Sequence, residues 1–473
     1  MFIGRERELQ QLCEFQKRKI AGMIVCSGRR RIGKSTLIEH FAEGKRLLEF
    51  YGLAPQPNMT TKTQLEHFGQ QLGAHFSIPA ISFDNWSTAL DTLAGFTREG
   101  PVIIFLDEIS WMAGGDKDFP AKLKGIWDTK LKKNPELILI LCGSVSSWIQ
   151  ENILEDKGFM GRISLTIDLY ELSPDEANQF WLGNEWISAY EKFKLLCVTG
   201  GVPRYLEEIN IHQTAEQNIK RMCFMPGGIL VEEFNKIFKD LFGKKMQDYI
   251  NIAKILVNSA LPIEKICQIM NVKQTGGFNK KLKVLQQCGF ISRDYVWSKG
   301  KPRLKLSKYR LSDNYLRFYL KYIDPKKELI NKGLYHELHT EELDDWYSLM
   351  GLQFENMVLN NLPFIQKKLD ISSASILSAS SYYQNKTALQ EACQIDLLIE
   401  TKFSLYPCEI KFRKKIEVEV ITEVMEKIRR IKTPKTISIR PVLIYQGELA
   451  ESVKHKNFFS HIIRFEELLK STL

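Results

Sequence analysis

The sequence predicts an α/β protein of several domains: a parallel sheet holding a phosphate loop, a helical lid, a module of three helices and a hairpin, and a second α/β domain. Three observations predict it. Gly28-Arg29-Arg30-Arg31-Ile32-Gly33-Lys34-Ser35 follows the apolar run Met23-Ile24-Val25-Cys26 and opens a helix-like stretch. Val102-Ile103-Ile104-Phe105-Leu106 reads as a strand buried on both faces and ends in Asp107-Glu108. Far downstream, Cys393 to Ile399 and Tyr406 to Phe412 read as adjacent strands, the second carrying Glu409-x-Lys411. At 473 residues the chain is too long for one ordinary domain.

The first stretch is a P-loop, expected to bind ATP. Polyphosphate lying close to a backbone needs residues without Cβ where amides turn inward, and Gly28 and Gly33 supply them. Lys34 brings a charge to the β- and γ-phosphates, Ser35 offers a hydroxyl to Mg²⁺, and the helix beginning at Ser35 and Thr36 favours the anion through its dipole. At the end of the next strand, Asp107 is expected in the Mg²⁺ shell. Glu108 beside it is placed to accept a proton from the attacking water.

A third apolar run, Leu137 to Cys142, ends in Gly143-Ser144. Ser144 is read as a γ-phosphate sensor or, alternatively, as part of an ordinary turn at a strand end. Arg162 is a candidate arginine finger, since phosphoryl transfer gains from a cation at the developing charge; the other reading is a surface arginine before a strand. Gly200-Gly201-Val202-Pro203 makes a rigid turn after a run of helices.

These pieces carry a resemblance. Phe2-x-Gly4-Arg5-x-x-Glu8-Leu9, the P-loop, Leu106-Asp107-Glu108, a strand ending Gly143-Ser144 and Gly200-Gly201-Val202-Pro203-x-Tyr205-Leu206, in this order, resemble the archaeal-type P-loop ATPases, related to the AAA+ and STAND classes. The resemblance implies that Gly4, Arg5 and Pro203 flank the adenine, and that a helical lid reports nucleotide state. It covers roughly the first half of the chain.

Net charge is +10. Between Lys273 and Arg310 stand eleven Lys or Arg and one acid, Asp294, so this segment alone accounts for the excess. Such a segment is an electrostatic footprint for a polyanion, DNA above all. Residues 248–259, 262–270 and 274–288 read as three helices, and 290–297 and 304–311 as a hairpin, which together predict a winged helix. Lys280, Lys281 and Lys283 on the third helix and Lys299, Lys301 and Arg303 at the hairpin tip are expected to contact DNA phosphates. The other reading is a winged helix that packs only on the lid.

In the last third, Asp396 and Glu409-x-Lys411 are expected to project together, because residues two apart on a strand share a face. Two carboxylates suit Mg²⁺ or Mn²⁺, and Lys411 suits positioning of the attacking water in phosphodiester hydrolysis. The pattern resembles the Asp…Glu-x-Lys core of restriction-endonuclease-like nucleases, with Glu355 matching their helical acid. The resemblance implies either an active nuclease or a domain that keeps the fold without activity.

The expected division is 1–170 for the ATPase core, 171–245 for the lid, 246–323 for the winged helix, 324–345 for a linker and 346–473 for the restriction-endonuclease-like domain. No apolar run approaches a membrane span, the first residues are charged where a signal peptide is apolar, and the nine cysteines form no CxxC pair, so a cytoplasmic protein without membrane partners is expected. The functional expectation is an ATPase that binds DNA, self-associates on binding ATP, and couples nucleotide state to a nuclease-like domain. The alternative is a non-nucleolytic ATP switch whose C-terminal domain binds a protein partner. A sequence-specific transcriptional regulator is a third reading.

Overall fold

The computed structural model describes residues 2–470 apart from 57, 58, 145, 146, 182, 184, 185, 296, 298–305, 336–338, 387, 389, 432, 434 and 435, and omits the side chains of 144 and 147. The chain divides into two compact units, Met1–Tyr170 and Glu171–Leu473.

The first unit is built on five parallel strands, β1 (Gly22–Gly28), β2 (Leu47–Tyr51), β3 (Val102–Asp107), β4 (Leu137–Ser144) and β5 (Ile163–Leu169), in the order β2-β3-β4-β1-β5. Helices cover both faces, which is why the central strands are apolar at every position rather than at alternate ones. Met23, Val25, Ile104, Leu106, Leu139 and Leu141 enter one core. Their neighbours Ile24, Cys26, Ile103, Phe105, Ile140 and Cys142 enter the other. The period of two in strand side chains thus feeds two cores from one sheet. The loop after β1 reaches the helix Lys34–Phe41 through Gly33, whose φ of 86° lies in the left-handed region that glycine adopts without a Cβ penalty.

The described residues of the second unit form two sheets. β6 (Ile291–Tyr295) and β7 (Ser307–Leu311) form an antiparallel pair. β8 (Ile376–Gln384), β9 (Cys393–Thr401), β10 (Ser404–Ile416), β11 (Ser438–Ile439), β12 (Val442–Leu449) and β13 (His461–Arg464) form a mixed sheet in the order β13-β12-β10-β9-β8, with β11 on β10. The β8–β9 and β9–β10 pairs are antiparallel, and β10–β12 and β12–β13 are parallel. Leu397, Ile399, Cys408, Ile410 and Ile444 pack with Phe354 and Val358 of the helix Trp346–Leu359. Leu443 and Tyr445 pack with Val420 and Val424 of the helix Glu419–Arg430.

The three helices Met246–Ile255, Ile263–Met270 and Gly276–Gln287 precede β6 and β7. Ile252, Ile266, Leu282, Leu285, Phe290 and Leu311 from these elements join one core. In the segment expected as a linker, the helix Lys327–Asn331 belongs to the second unit. Ile330 is 0 % exposed, and Lys254 and Lys327 pair with Asp324 and Glu232 at 2.8 and 3.1 Å. Among the described residues no helix is long and apolar enough to cross a membrane, and all nine cysteines are free thiols.

Candidate nucleotide site and acidic cavity

The phosphate loop and the end of β3 meet in the first unit. Ser35 Oγ donates to Asp107 Oδ2 at 2.6 Å, and Asp107 Oδ1 accepts the Glu108 amide at 2.9 Å. Both Asp107 oxygens are thereby fixed in direction. Lys34 is 8 % exposed and donates to the carbonyls of Gly28 and Arg29, each at 3.1 Å, so its ammonium lies within the loop. Glu108 is held at φ 47°, a left-handed conformation rare outside glycine and common where a site dictates backbone shape. Gly143, at the end of β4, comes close to it: a Cβ at 143 would lie 3.7 Å from Glu108 Oε2.

The oxygens of Ser35 and Asp107 fit a Mg²⁺ ion, a hard cation that takes few protein ligands and completes its shell with phosphate and water. Held there beside a nucleotide, Mg²⁺ would supply charge neutralisation across the phosphates.

Arg5 sits beside the phosphate loop. It is buried at φ 63° and donates to the carbonyls of Ile32 at 3.1 Å and Tyr170 at 2.5 Å, tying the phosphate loop to the chain that follows β5. Gly4 precedes it with φ 68°. Thr36 is exposed on the first turn after the loop. Ser144 is the last residue of β4, in register with Gly28, and its side chain lies outside the described residues.

Arg162 is engaged elsewhere. Its guanidinium grips Asp128 through Nε at 3.0 Å and Nη2 at 2.7 Å, and donates to the Gly158 carbonyl at 2.8 Å. The bond from Arg162 holds the Asp128 carboxyl below the usual carboxylate range. This fork on a carboxylate is a structural use of arginine.

In the second unit, Glu355, Asp396, Glu409 and Lys411 line one cavity of ≈ 360 Å³, together with Lys427 and Arg430. Strand pairing explains the convergence. The β9–β10 register runs from Leu405↔Glu400 to Cys408↔Leu397, so the next step sets Glu409 beside Asp396. Asp396 Oδ2 accepts the Ile410 amide at 2.9 Å. Burial pushes its carboxyl well above the ordinary range, and the nearby Glu409 and Glu355 add to this. Burial also raises Glu355, against the pull of Arg317 and Arg310.

Lys427 and Glu423, one turn apart on the helix Glu419–Arg430, had no place in the expected site. Lys427 Nζ donates to Glu409 Oε1 at 2.7 Å and Oε2 at 2.6 Å, and Lys411 Nζ stands 2.8 Å from Glu409 Oε1 and 3.0 Å from Glu423 Oε2. Burial works to lower the Lys411 pKa, but Glu409 and Glu423 outweigh it and hold the ammonium above its ordinary value. The spacing of 423 and 427 on an amphipathic helix following the Glu-x-Lys strand was the available signal.

So arranged, the cavity does not fit a divalent ion. Two ammoniums occupy Glu409, and one Asp396 oxygen is taken by a backbone amide. Among the described residues no group of three His, Cys, Asp or Glu side chains is arranged to hold a metal.

The helix Trp346–Leu359 connects the cavity to the rest of this unit. Gln353, two residues before Glu355, is 0 % exposed and donates to the carbonyls of Cys197 at 2.8 Å and Asn314 at 2.7 Å. Cys197 lies in the last turn of the helix Ala189–Thr199, which runs directly into Gly200-Gly201-Val202-Pro203. That turn is tight: a Cβ at Gly201 would meet the Leu172 carbonyl at 2.0 Å. Pro203 occupies the first turn of the short helix Pro203–Leu206. Further along the same helix face, Asn356 and Asn360 accept from Arg310 of β7, which also pairs with Asp294 of β6 at 2.9 Å.

Of the expected DNA contacts, Lys280 and Lys283 are exposed on the helix Gly276–Gln287, while Lys281 pairs with Asp248 at 2.8 Å. Lys299, Lys301 and Arg303 lie outside the described residues. Other cations of the basic segment serve internal contacts. Arg310 is buried against asparagines and Asp294, and Lys308 Nζ stands 3.3 Å over the Tyr383 ring.

The chain is similar to known proteins over two thirds or more of its length. It is 26% identical over 382 residues to the uncharacterized protein MJECL04 of Methanocaldococcus jannaschii, covering 77% of this chain and 80% of that protein. Among solved structures, it is similar to a Walker-type ATPase of Pyrococcus abyssi, with a TM-score of 0.48 and 15% identity over 67% of this chain and 96% of that one. The ORC2 protein of Aeropyrum pernix, solved in ADPNP–ADP complexes, matches with a TM-score of 0.40 and 15% identity over 70% of this chain and 95% of that one. Residues 2–209 match the model of a family described as an ATPase domain predominantly from Archaea.

Proposed function

We propose that the protein binds and hydrolyses ATP at the phosphate loop and uses the nucleotide state to control how its second unit engages DNA. The observation that carries the ATPase reading is the 2.6 Å bond between Ser35 and Asp107, which joins the two Mg²⁺-directed groups from the helix after the phosphate loop and the end of β3. Lys34 binds the β- and γ-phosphates once it leaves the loop carbonyls. Glu108 takes the proton of the attacking water while the water oxygen bonds to the γ-phosphorus and the bond to the ADP oxygen breaks.

For the second unit, the three helices with β6 and β7 are read as a winged helix, with the exposed Lys280 and Lys283 and the tip residues Lys299, Lys301 and Arg303 on DNA phosphates. Such contacts give salt-dependent binding with little sequence choice. The mixed sheet with Glu355, Asp396, Glu409 and Lys411 around one cavity supports a restriction-endonuclease-like domain. Within the second unit, Gln353 ties the helix bearing Glu355 to the helix that ends at the Gly200-Gly201 turn.

A non-nucleolytic switch is the second reading, favoured by the two lysines that satisfy Glu409. One assay separates them. Labelled duplex and single-stranded DNA are incubated with the protein, divalent metal and ATP, beside Glu409→Ala. Cutting that is lost in the variant supports the nuclease-like reading; retention of DNA without cutting supports an ATP-driven binder.

A further inference from the structure

The phosphate loop carries three arginines, Arg29-Arg30-Arg31, ahead of Lys34. A loop that binds phosphate through backbone amides and one lysine does not require them. Arg29 is buried, and Arg31, at φ 71°, is exposed. Arg30, half-buried between them, places its guanidinium carbon 5.8 Å from the centroid of the Trp111 ring. Trp111 lies on the short helix Ile109–Met112, which starts directly after Glu108, and its amide donates to the Glu108 carbonyl at 2.8 Å. That turn is held from behind: a Cβ on Gly52 would stand 2.5 Å from the Met112 nitrogen and 2.8 Å from the Glu108 carbonyl oxygen. Arg30 therefore reaches from the phosphate loop toward the end of β3, the interval in which the γ-phosphate and the attacking water of the proposed reaction belong. A cation over an aromatic face is held weakly where water has access, whereas a guanidinium on a phosphate makes forked, charge-assisted hydrogen bonds. The ring keeps the arginine near the site without outcompeting a phosphate. Arg162, by contrast, is committed to Asp128.

We propose that Arg30 is the arginine that stabilises the transferring γ-phosphoryl group, supplied from within the phosphate loop of the same chain. On ATP binding its guanidinium leaves the Trp111 ring and donates N–H bonds to the γ-phosphate oxygens. It stays protonated throughout. The water proton goes to Glu108, the water oxygen bonds to the γ-phosphorus, and the bond to the ADP oxygen breaks. ADP lacks the group that Arg30 grips, so with ADP bound the arginine stays on the ring. This inference rests on the ATPase reading of the phosphate loop. It differs from a general electrostatic role of the loop arginines, in which losing Arg30 would weaken ATP and ADP alike and leave kcat unchanged.

The test compares the full-length parent with Arg30→Ala and Arg30→Lys in steady-state ATP hydrolysis, and in calorimetric binding of ADP and of the non-hydrolysable analogue ADPNP. Arg30→Ala is expected to lower kcat by about a hundredfold or more, and guanidinium ion at millimolar concentration to restore part of that turnover. Its affinity for ADPNP should fall by about tenfold while its affinity for ADP stays within about threefold. Trp111 supplies a second readout. After subtraction of the emission of Trp111→Phe, ADPNP should change the fluorescence of the parent, ADP should not, and Arg30→Ala should abolish the difference. Arg30→Lys keeps the charge without the planar fork and serves if circular dichroism shows that Arg30→Ala fails to fold; it is expected to bind ADP normally and to lose about tenfold in kcat. Turnover by Arg30→Ala within about threefold of the parent, or equal loss of ADP and ADPNP affinity with kcat unchanged, overturns the assignment and leaves the ATPase reading intact. A parent that binds nucleotide without hydrolysing it removes that reading and the assignment with it.

Discussion

Ser35 and Asp107, 72 residues apart in sequence, are joined by a 2.6 Å hydrogen bond between hydroxyl and carboxylate. The bond fixes the two protein groups that Mg²⁺ would meet before any nucleotide arrives. Preorganisation of this kind lowers the ordering cost of binding. Removing either partner should therefore weaken nucleotide binding that depends on metal. Asp107→Asn and Ser35→Ala are each expected to lower Mg·ATP affinity by about tenfold or more, ~1.4 kcal/mol, while metal-free ATP binding changes little. Calorimetry with and without Mg²⁺ reads the difference.

Lys34 is the principal charge on the phosphates in this account. Lys34→Ala should reduce ATP affinity by about a hundredfold, ~2.7 kcal/mol. Unchanged ATP binding in this variant would remove the phosphate-loop assignment.

Arg162 divides two readings cleanly. Bound to Asp128 and Gly158 in the first unit, it has a structural use, and Arg162→Ala should leave ATP turnover within about threefold of the parent. An arginine finger would instead cost on the order of a thousandfold. The pH dependence of stability gives a second check. Asp128 is held below its ordinary pKa, so its contribution is present above the unfolded value, about 3.9. It is lost as pH falls through the lower folded value. Arg162→Ala should flatten that acid limb in chemical unfolding experiments.

Gln353 makes the prediction for the second unit. Gln353→Leu strands the buried carbonyls of Cys197 and Asn314, which should cost about 1–3 kcal/mol of stability in urea unfolding. Lys281→Ala breaks a surface pair with Asp248 and should stay within about 0.5 kcal/mol.

The sequence made some of this legible and hid the rest for identifiable reasons. Uninterrupted apolar runs at β1, β3 and β4 revealed a sheet covered on both faces, and Gly33-Lys34-Ser35 revealed the turn that a phosphate requires. Asp396 and Glu409 came together because antiparallel register is regular once two neighbouring strands are recognised. The pairing of Lys427 with Glu409 was not legible, because a lysine on an amphipathic helix looks the same whether it faces a DNA backbone, solvent or a buried carboxylate. Arg162 and Arg5 show the same limit. Their types suited a nucleotide role, but their partners, Asp128 and the carbonyls of Ile32 and Tyr170, are set by tertiary structure that no local pattern encodes. Residues 324–345 read as a linker from Asp324-Pro325 and a charged run, whereas Ile330 and Leu343 anchor that segment in the core.

The most direct measurement of the central claim is steady-state ATP hydrolysis by the full-length protein, compared with Glu108→Gln. The parent should release phosphate, and Glu108→Gln should bind ATP with unchanged affinity while turning over about 10²–10⁴-fold more slowly. Equal turnover by the two proteins would contradict the assignment of Glu108 as the base. ATP binding without hydrolysis by the parent, with or without duplex DNA, would contradict the ATPase itself.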